Sequence, residues 1–184
     1  MLENIDKNHP QRKSPRLQGY DYTQAGAYFV TICTHQRTNL FGDIIADGVM
    51  HLSDEGQIAQ SCWETIPQHF PTIELDAFVV MPNHIHGILV FDIPKGGHGN
   101  AVSLRPTDNG EAFGKPVKNS LSTVIRSYKS IVTRTIRQML DIEIVVWQGR
   151  FYDHIIRSEA SLNHIRQYIE SNPAHWQEDQ LYQA

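Results

Sequence analysis

Residues 27–34, AYFVTICT, are β-branched and aromatic and predict a first strand. A short connection holding Leu40, Phe41 and Gly42 follows. Ile58, Ala59, Cys62, Trp63 and Ile66 then recur at helical spacing, with Ser53 or Asp54 as the cap and an end near Pro67. Two more strands are predicted at 74–81 and 84–91, joined by Pro82 and Asn83 as a tight turn. Residues 92–119 hold five glycines and three prolines and no apolar period, which predicts a long mobile loop. After it Leu121, Val124, Ile125, Tyr128, Ile131, Val132, Ile136 and Met139 mark an amphipathic helix. IEIVVW at 142–147 predicts the last strand, with RFYDHII continuing in extended form. A final helix from about Ser161, with Leu162, Ile165 and Ile169 as its stripe, should stop at Asn172, because a residue before proline is pushed out of the α region. Strand, helix, hairpin, helix, strand, helix is an α+β pattern: a ferredoxin-like split βαβ unit with an antiparallel sheet and an extra C-terminal helix.

Composition sets the frame for that pattern. A chain of 184 residues with 40% hydrophobic content suits one domain with a real core. Residues 1–18 read as a basic polar N-terminal arm. No 18-residue apolar run exists and the N-terminus has no signal-peptide core, so a soluble cytoplasmic protein without a membrane partner is expected. Cys33 and Cys62 stand in separate segments with no C-x-x-C spacing and read as core thiols rather than zinc ligands or a disulfide.

Charge changes the picture more than composition does. The net charge is −4, yet Lys115, Lys118, Arg126, Lys129, Arg134 and Arg137 lie between 113 and 140 with no acidic residue among them. A basic stripe in an acidic chain fits either a solvated helix face or a polyanion partner.

The candidate chemistry starts in MPNHIHGILV at 81–90. Side chains alternate along a strand, so His84 and His86 project from one face while Ile85 and Gly87 project from the other. Tyr168 and Asn172 are four apart on the last helix and share a face there. If that face meets the histidine strand, two imidazoles, an amide oxygen and a phenol converge. Two neutral imidazoles and an amide oxygen suit Mg²⁺ or Mn²⁺ with open positions better than a closed zinc site. The matching reaction is phosphoryl transfer with tyrosine as the nucleophile. Spacing alone leaves Tyr128 and Tyr152 open beside Tyr168.

Three blocks, VVMPNHIHGILV, VVWQGRFYDHIIRSE and IRQYIESNPAHW, together resemble the single-tyrosine HUH transposases, in particular their REP-associated tyrosine transposase branch. The similarity runs from about Arg16 in RLQGYDYTQAGAYFVTICT to Trp176. The resemblance implies that His84 and His86 are the metal-binding pair, that Tyr168 in Tyr-x-x-x-Asn-Pro is the nucleophile, and that Asn172 is the third, helix-borne ligand. It implies a divalent ion, Mg²⁺ or Mn²⁺, as cofactor and single-stranded or hairpin DNA as partner, cleaved through a 5′-phosphotyrosine intermediate. Arg126, Lys129 and Arg134 would then meet phosphates, and Arg150, with Gln148 and His154 in the second block, would shape the site or touch DNA. His164, one turn before Tyr168, reads as a solvated histidine. A monomer and a homodimer both fit the resemblance. Two rival readings stay open at this point: a non-catalytic module that binds hairpin DNA, and a metal-dependent phosphodiesterase that uses water.

Overall fold

The structure is a computed structural model that describes residues 20–45, 48–92 and 117–182. The N-terminal arm 1–18 and positions 93–116 of the predicted loop lie outside the described residues. In chain order the elements are β1 (Gly26–Cys33), β2 (Gly42–Ile44), β3 (Met50–Leu52), α1 (Asp54–Glu64), α2 (Ile66–His69), β4 (Ile73–Met81), β5 (His84–Phe91), α3 (Leu121–Leu140), β6 (Tyr152–Ile156) and α4 (Glu159–Ser171). Short 3₁₀ turns at His35–Arg37 and Pro173–Glu178 follow β1 and α4.

β4, β5, β1 and β6 form a four-stranded sheet in that order, antiparallel at every junction. This is the ferredoxin-like arrangement, with β2 and β3 as a separate two-stranded ribbon inserted after β1. One face of the sheet carries α1 and α3 over a continuous core that includes Tyr28, Val30, Ile32, Trp63, Ile85, Leu89, Val124, Ile125 and Tyr128. Gly87 is required there: a Cβ at this position would stand 2.3 Å from Trp63 of α1. The other face carries α4 over a smaller cluster centred on Phe29, Ile88 and Ile169. β5 therefore separates two layers, Ile85, Gly87 and Leu89 facing one and His84, His86 and Ile88 the other.

Local chemistry explains most boundaries. Ser53 caps α1 by accepting from the Gly56 N–H at 3.1 Å, Ser120 caps α3, and Ser158 caps α4, which starts at Glu159, two residues before the expected Ser161. Pro67 lies in the first turn of α2, where a missing N–H costs nothing, so α1 ends three residues earlier, at Glu64. Asn172 does end α4, but its backbone stays in the right-handed helical region (φ −57°, ψ −42°) and the chain runs on into the 3₁₀ turn. The helix stops where expected but for another reason: Pro173 has no N–H to continue the helical ladder.

One prediction fails. Residues 142–147 are not the last strand; they make a single antiparallel bridge, Thr34 with Trp147, and the edge strand is β6 at Tyr152–Ile156. The edge of β1 pairs from Ala27 to Thr31 with β6, and IEIVVW is hydrogen-bonded to α3 instead, the Ile144 carbonyl accepting from Arg137 Nη2 at 3.0 Å. Val146 and Trp147 are buried there, the Trp147 indole N–H donates to the Lys129 carbonyl at 3.1 Å, and Val145 is left exposed. Among the described residues no helix is long and apolar enough to cross a membrane.

Candidate active site

The two-residue turn Pro82-Asn83 delivers His84 and His86 side by side on the α4 face, with ring centroids 4.4 Å apart. Asn83 is fully buried, and its amide is fixed at both ends. Its Nδ2 donates to the carbonyls of Arg37 at 3.2 Å and Leu181 at 2.8 Å, so its Oδ1 must be the group that faces His84 Nδ1 at 2.8 Å. The imidazole then carries its proton on Nδ1, and the lone pair of Nε2 is left free. That Nε2 is buried and has no hydrogen-bond partner among the described residues. His86 Nδ1 is held by Thr31 Oγ1 at 2.9 Å, and Phe29 stacks on its ring.

α4 brings the third and fourth groups. The Tyr168 hydroxyl sits 3.2 Å from His86 Nε2, and the helix repeat sets Asn172 one turn further along. After α4 the 3₁₀ turn folds back, places Trp176 against His84 and returns Asp179 to the cluster. Asp179 Oδ2 accepts from Asn172 Nδ2 at 3.1 Å and from the Tyr168 hydroxyl at 3.5 Å, while its Oδ1 accepts from the Leu181 N–H at 2.6 Å. With its Nδ2 so engaged, Asn172 keeps a buried Oδ1 that has no hydrogen-bond partner among the described residues.

Electrostatics agree with this donor set. Burial pushes the His84 imidazolium down to about 3, with Arg37 adding to it, and burial lowers His86 well below its ordinary value, with His84 adding to it. Both rings are therefore neutral at physiological pH, the form that binds metal. His84, His86 and Asp179 offer ligand atoms within 4.8 Å of one another, so these residues fit a divalent ion. Burial foremost, and Asp179 next, raise the Tyr168 phenol above its ordinary value, so the tyrosine needs help to act as an anion.

The remaining sequence candidates are distributed differently. Tyr128 is buried against α1 and donates to the Ala59 carbonyl at 2.9 Å, in the core layer. Tyr152 is half exposed on β6, opposite Thr31. Arg126 and Arg134 are exposed on α3, on the far side of the sheet from Tyr168. Lys129 Nζ donates to the carbonyls of Gln148 at 2.8 Å and Arg150 at 3.2 Å, and burial lowers its ammonium to about 8. Arg150, His154 and His164 are exposed, and Gln148 is tied by its backbone N–H to the Cys33 carbonyl at 3.0 Å. Asp179 is the residue that sequence reasoning missed. It lies seven positions past Asn172 across a proline, where no helical or strand period relates them.

No protein-family model matches the chain. An uncharacterized protein of Haemophilus influenzae (strain ATCC 51907 / DSM 11121 / KW20 / Rd) is 41% identical over 172 residues, 93% of each chain. A second protein of that strain, named "Putative REP-associated tyrosine transposase", is 26% identical over 154 residues, 83% of this chain and 73% of its own. Among solved structures, one described as a REP-associated tyrosine transposase bound to a REP hairpin shares the fold at a TM-score of 0.56 and 22% identity, over 85% of this chain and 72% of that one. In sequence the chain is thus similar to a protein named as a REP-associated tyrosine transposase, and in fold to a solved one.

Proposed function

We propose that this protein cuts and rejoins single-stranded DNA at hairpin-forming repeats, with Tyr168 as nucleophile and a divalent ion, Mg²⁺ or Mn²⁺, held by His84, His86, Asn172 and Asp179. Its relatedness to tyrosine transposases makes a transposase-like, DNA-processing role the frame for that reading. The observation that carries it is the Tyr168 hydroxyl 3.2 Å from His86 Nε2, with two buried atoms of the proposed ligands, His84 Nε2 and Asn172 Oδ1, that have no hydrogen-bond partner among the described residues. Leaving two such atoms unpaired is costly unless a ligand completes them. The hairpin as substrate rests on the related fold that holds one.

In the reaction the phenol oxygen attacks the phosphorus, a Tyr168 Oη–P bond forms and the P–O3′ bond breaks. The phenol proton is given up to water, the leaving 3′ oxygen takes up a proton from water, and the DNA remains attached through a 5′-phosphotyrosine that a second 3′-hydroxyl can reverse. A bound divalent ion neutralises charge on the phosphate oxygens. This chain's own residues do the rest. The single lone pair of His86 Nε2, which the phenol meets at 3.2 Å, would pass to a bound ion and leave the hydroxyl free beside it, while Asn83 and Thr31 fix the two imidazoles and Asp179 meets both Asn172 and the Tyr168 hydroxyl. Arg126, Lys129, Arg134 and Arg150 supply sequence-independent phosphate contacts in this reading, away from the reacting bond.

The test is a denaturing gel of the protein with labelled single-stranded hairpin DNA, in Mn²⁺ or in EDTA. A metal-dependent band shifted by one protein mass, absent for Tyr168→Phe, is the expected result. Cleavage without an adduct would make water the nucleophile, and binding without cleavage would leave a hairpin-binding module.

A further inference from the structure

β4 and β5 pair residue for residue except at one place. Leu75 faces Leu89 and Phe78 faces Gly87, so Asp76 and Ala77 together oppose Ile88, a β-bulge. The extra residue keeps Ile73, Leu75, Phe78 and Val80 all on the core side, while Asp76 and Ala77 both turn toward α4. There the Asp76 carboxylate is held from two sides. Its Oδ1 accepts from the Ala77 N–H of the bulge at 2.7 Å and from Arg166 Nε at 2.8 Å, and its Oδ2 accepts from Arg166 Nη2. Arg166 Nη1 donates to Asn163 Oδ1 at 3.0 Å, so the guanidinium is also braced along its own helix. Among the described residues this two-pronged pair is the ion pair that joins α4 to the sheet.

Resting on the proposed function, we infer that the Asp76–Arg166 pair is a positioning clamp that sets the rotation of α4 and thereby places the Tyr168 hydroxyl at His86. Arg166 and Tyr168 are about 160° apart around a helix of 3.6 residues per turn, on opposite flanks of the Leu162/Ile165/Ile169 stripe. The apolar contact beneath that stripe is small, with Ile169 the one fully buried side chain of α4. Side chains of this kind resist lifting more than rolling. A bidentate pair at one flank opposes the roll, because both nitrogens must keep their oxygens at once. A roll of about 10° moves an atom some 6 Å from the helix axis by about 1 Å. Misplacement on that scale can cost about 100-fold in rate. Bulges that re-aim a side chain beside an active site are a recurring device, and here the re-aimed residue reaches the helix that carries the nucleophile rather than the substrate.

The experiment compares wild type, Asp76→Asn, Arg166→Lys and Tyr168→Phe in two readouts: the single-turnover rate of adduct formation at saturating hairpin DNA and Mn²⁺, and the ¹⁹F resonance of 3-fluorotyrosine placed at position 168. Asp76→Asn keeps the shape and Arg166→Lys keeps the charge, but neither keeps the paired fork. Both are expected to lower the rate by about 10- to 100-fold with hairpin and Mn²⁺ affinity unchanged, and to shift or broaden the resonance. A purely structural pair would change the melting temperature and leave the rate per folded molecule and the resonance alone, and that result overturns the clamp. A loss confined to DNA affinity also overturns it. If wild type forms no adduct, or Tyr168→Phe still does, the proposed function fails. The resonance of the two clamp variants then still decides the inference, displaced supporting it and unmoved refuting it.

Discussion

The two faces of the sheet are built on different principles. Toward α1 and α3 lies a thick apolar layer in which Trp63, Tyr128 and Leu89 are wholly or almost wholly buried; the Tyr128 hydroxyl finds the Ala59 carbonyl, while Trp63 Nε1 has no hydrogen-bond partner among the described residues. Toward α4 the apolar cluster is thin, and the layer is held by named polar contacts: Asn83 to His84, Thr31 to His86, Asn172 to Asp179, Asp76 to Arg166. Burial area stabilises the first face in proportion to what it excludes from water, with little demand on geometry beyond good packing. The second face buries less and specifies more. The larger apolar layer thus lies on the side away from the candidate site, and a substitution should reveal which face it sits on by what it damages.

His86 and Gly87 are adjacent and point to opposite layers, which makes them the sharpest pair for that test. His86→Gln keeps a polar side chain of similar reach but not an imidazole. On the proposed mechanism it lowers adduct formation by about 10³-fold, the scale of losing charge stabilisation by a bound cation, with a small change in melting temperature. Gly87→Ala does the reverse. The added Cβ stands 2.3 Å from the Trp63 ring, and relieving that overlap should cost about 1–3 kcal/mol of stability. The adduct rate per folded molecule should stay at the wild-type level. Denaturant melts read beside single-turnover rates check both variants. If Gly87→Ala slowed chemistry as much as His86→Gln does, the two layers would be coupled and the comparison would fail.

The same contrast explains what the sequence could and could not tell. Periodicity reports burial, so it found α3 from Leu121, Val124, Ile125 and Tyr128 and found the β4–β5 hairpin with the two histidines on one face. It missed β2 and β3, whose three residues each are too short to show alternation. It also misplaced the last strand, because IEIVVW has strand composition and only the occupied edge of β1 excludes it. The α4 layer depends on pairs with no periodic relation. Asp76 and Arg166 are 90 residues apart and meet through a bulge that no composition signals. Asp179 returns to His86 through a 3₁₀ turn that the helix-ending Asn-Pro hid from view. Asn83 was visible as an odd polar residue beside the histidines; its three hydrogen bonds, which settle the His84 tautomer, were not.

The smallest effect expected falls on Lys129, the stripe residue that the structure ties down most firmly. Two carbonyls, of Gln148 and Arg150, occupy its ammonium, so the side chain braces α3 against the connection to β6 and has one N–H left for a phosphate. Burial holds its pKa at about 8, below the ordinary lysine value. The sign follows: the folded state favours the neutral amine, so any phosphate contact from Lys129 is present below about pH 8 and fades above it. Each phosphate contact contributes about 0.9 to the slope of log affinity against log salt on duplex DNA and about 0.7 on single strands. Comparing wild type with Lys129→Met on a hairpin at pH 7 and at pH 9 should give a slope difference of that size or less at pH 7 and none at pH 9. Equal slopes at pH 7 would make Lys129 a strut belonging wholly to the structural face. A difference that persists at pH 9 would mean that DNA holds the lysine charged, and that the α3 side takes part in recognition on the same footing as the α4 side.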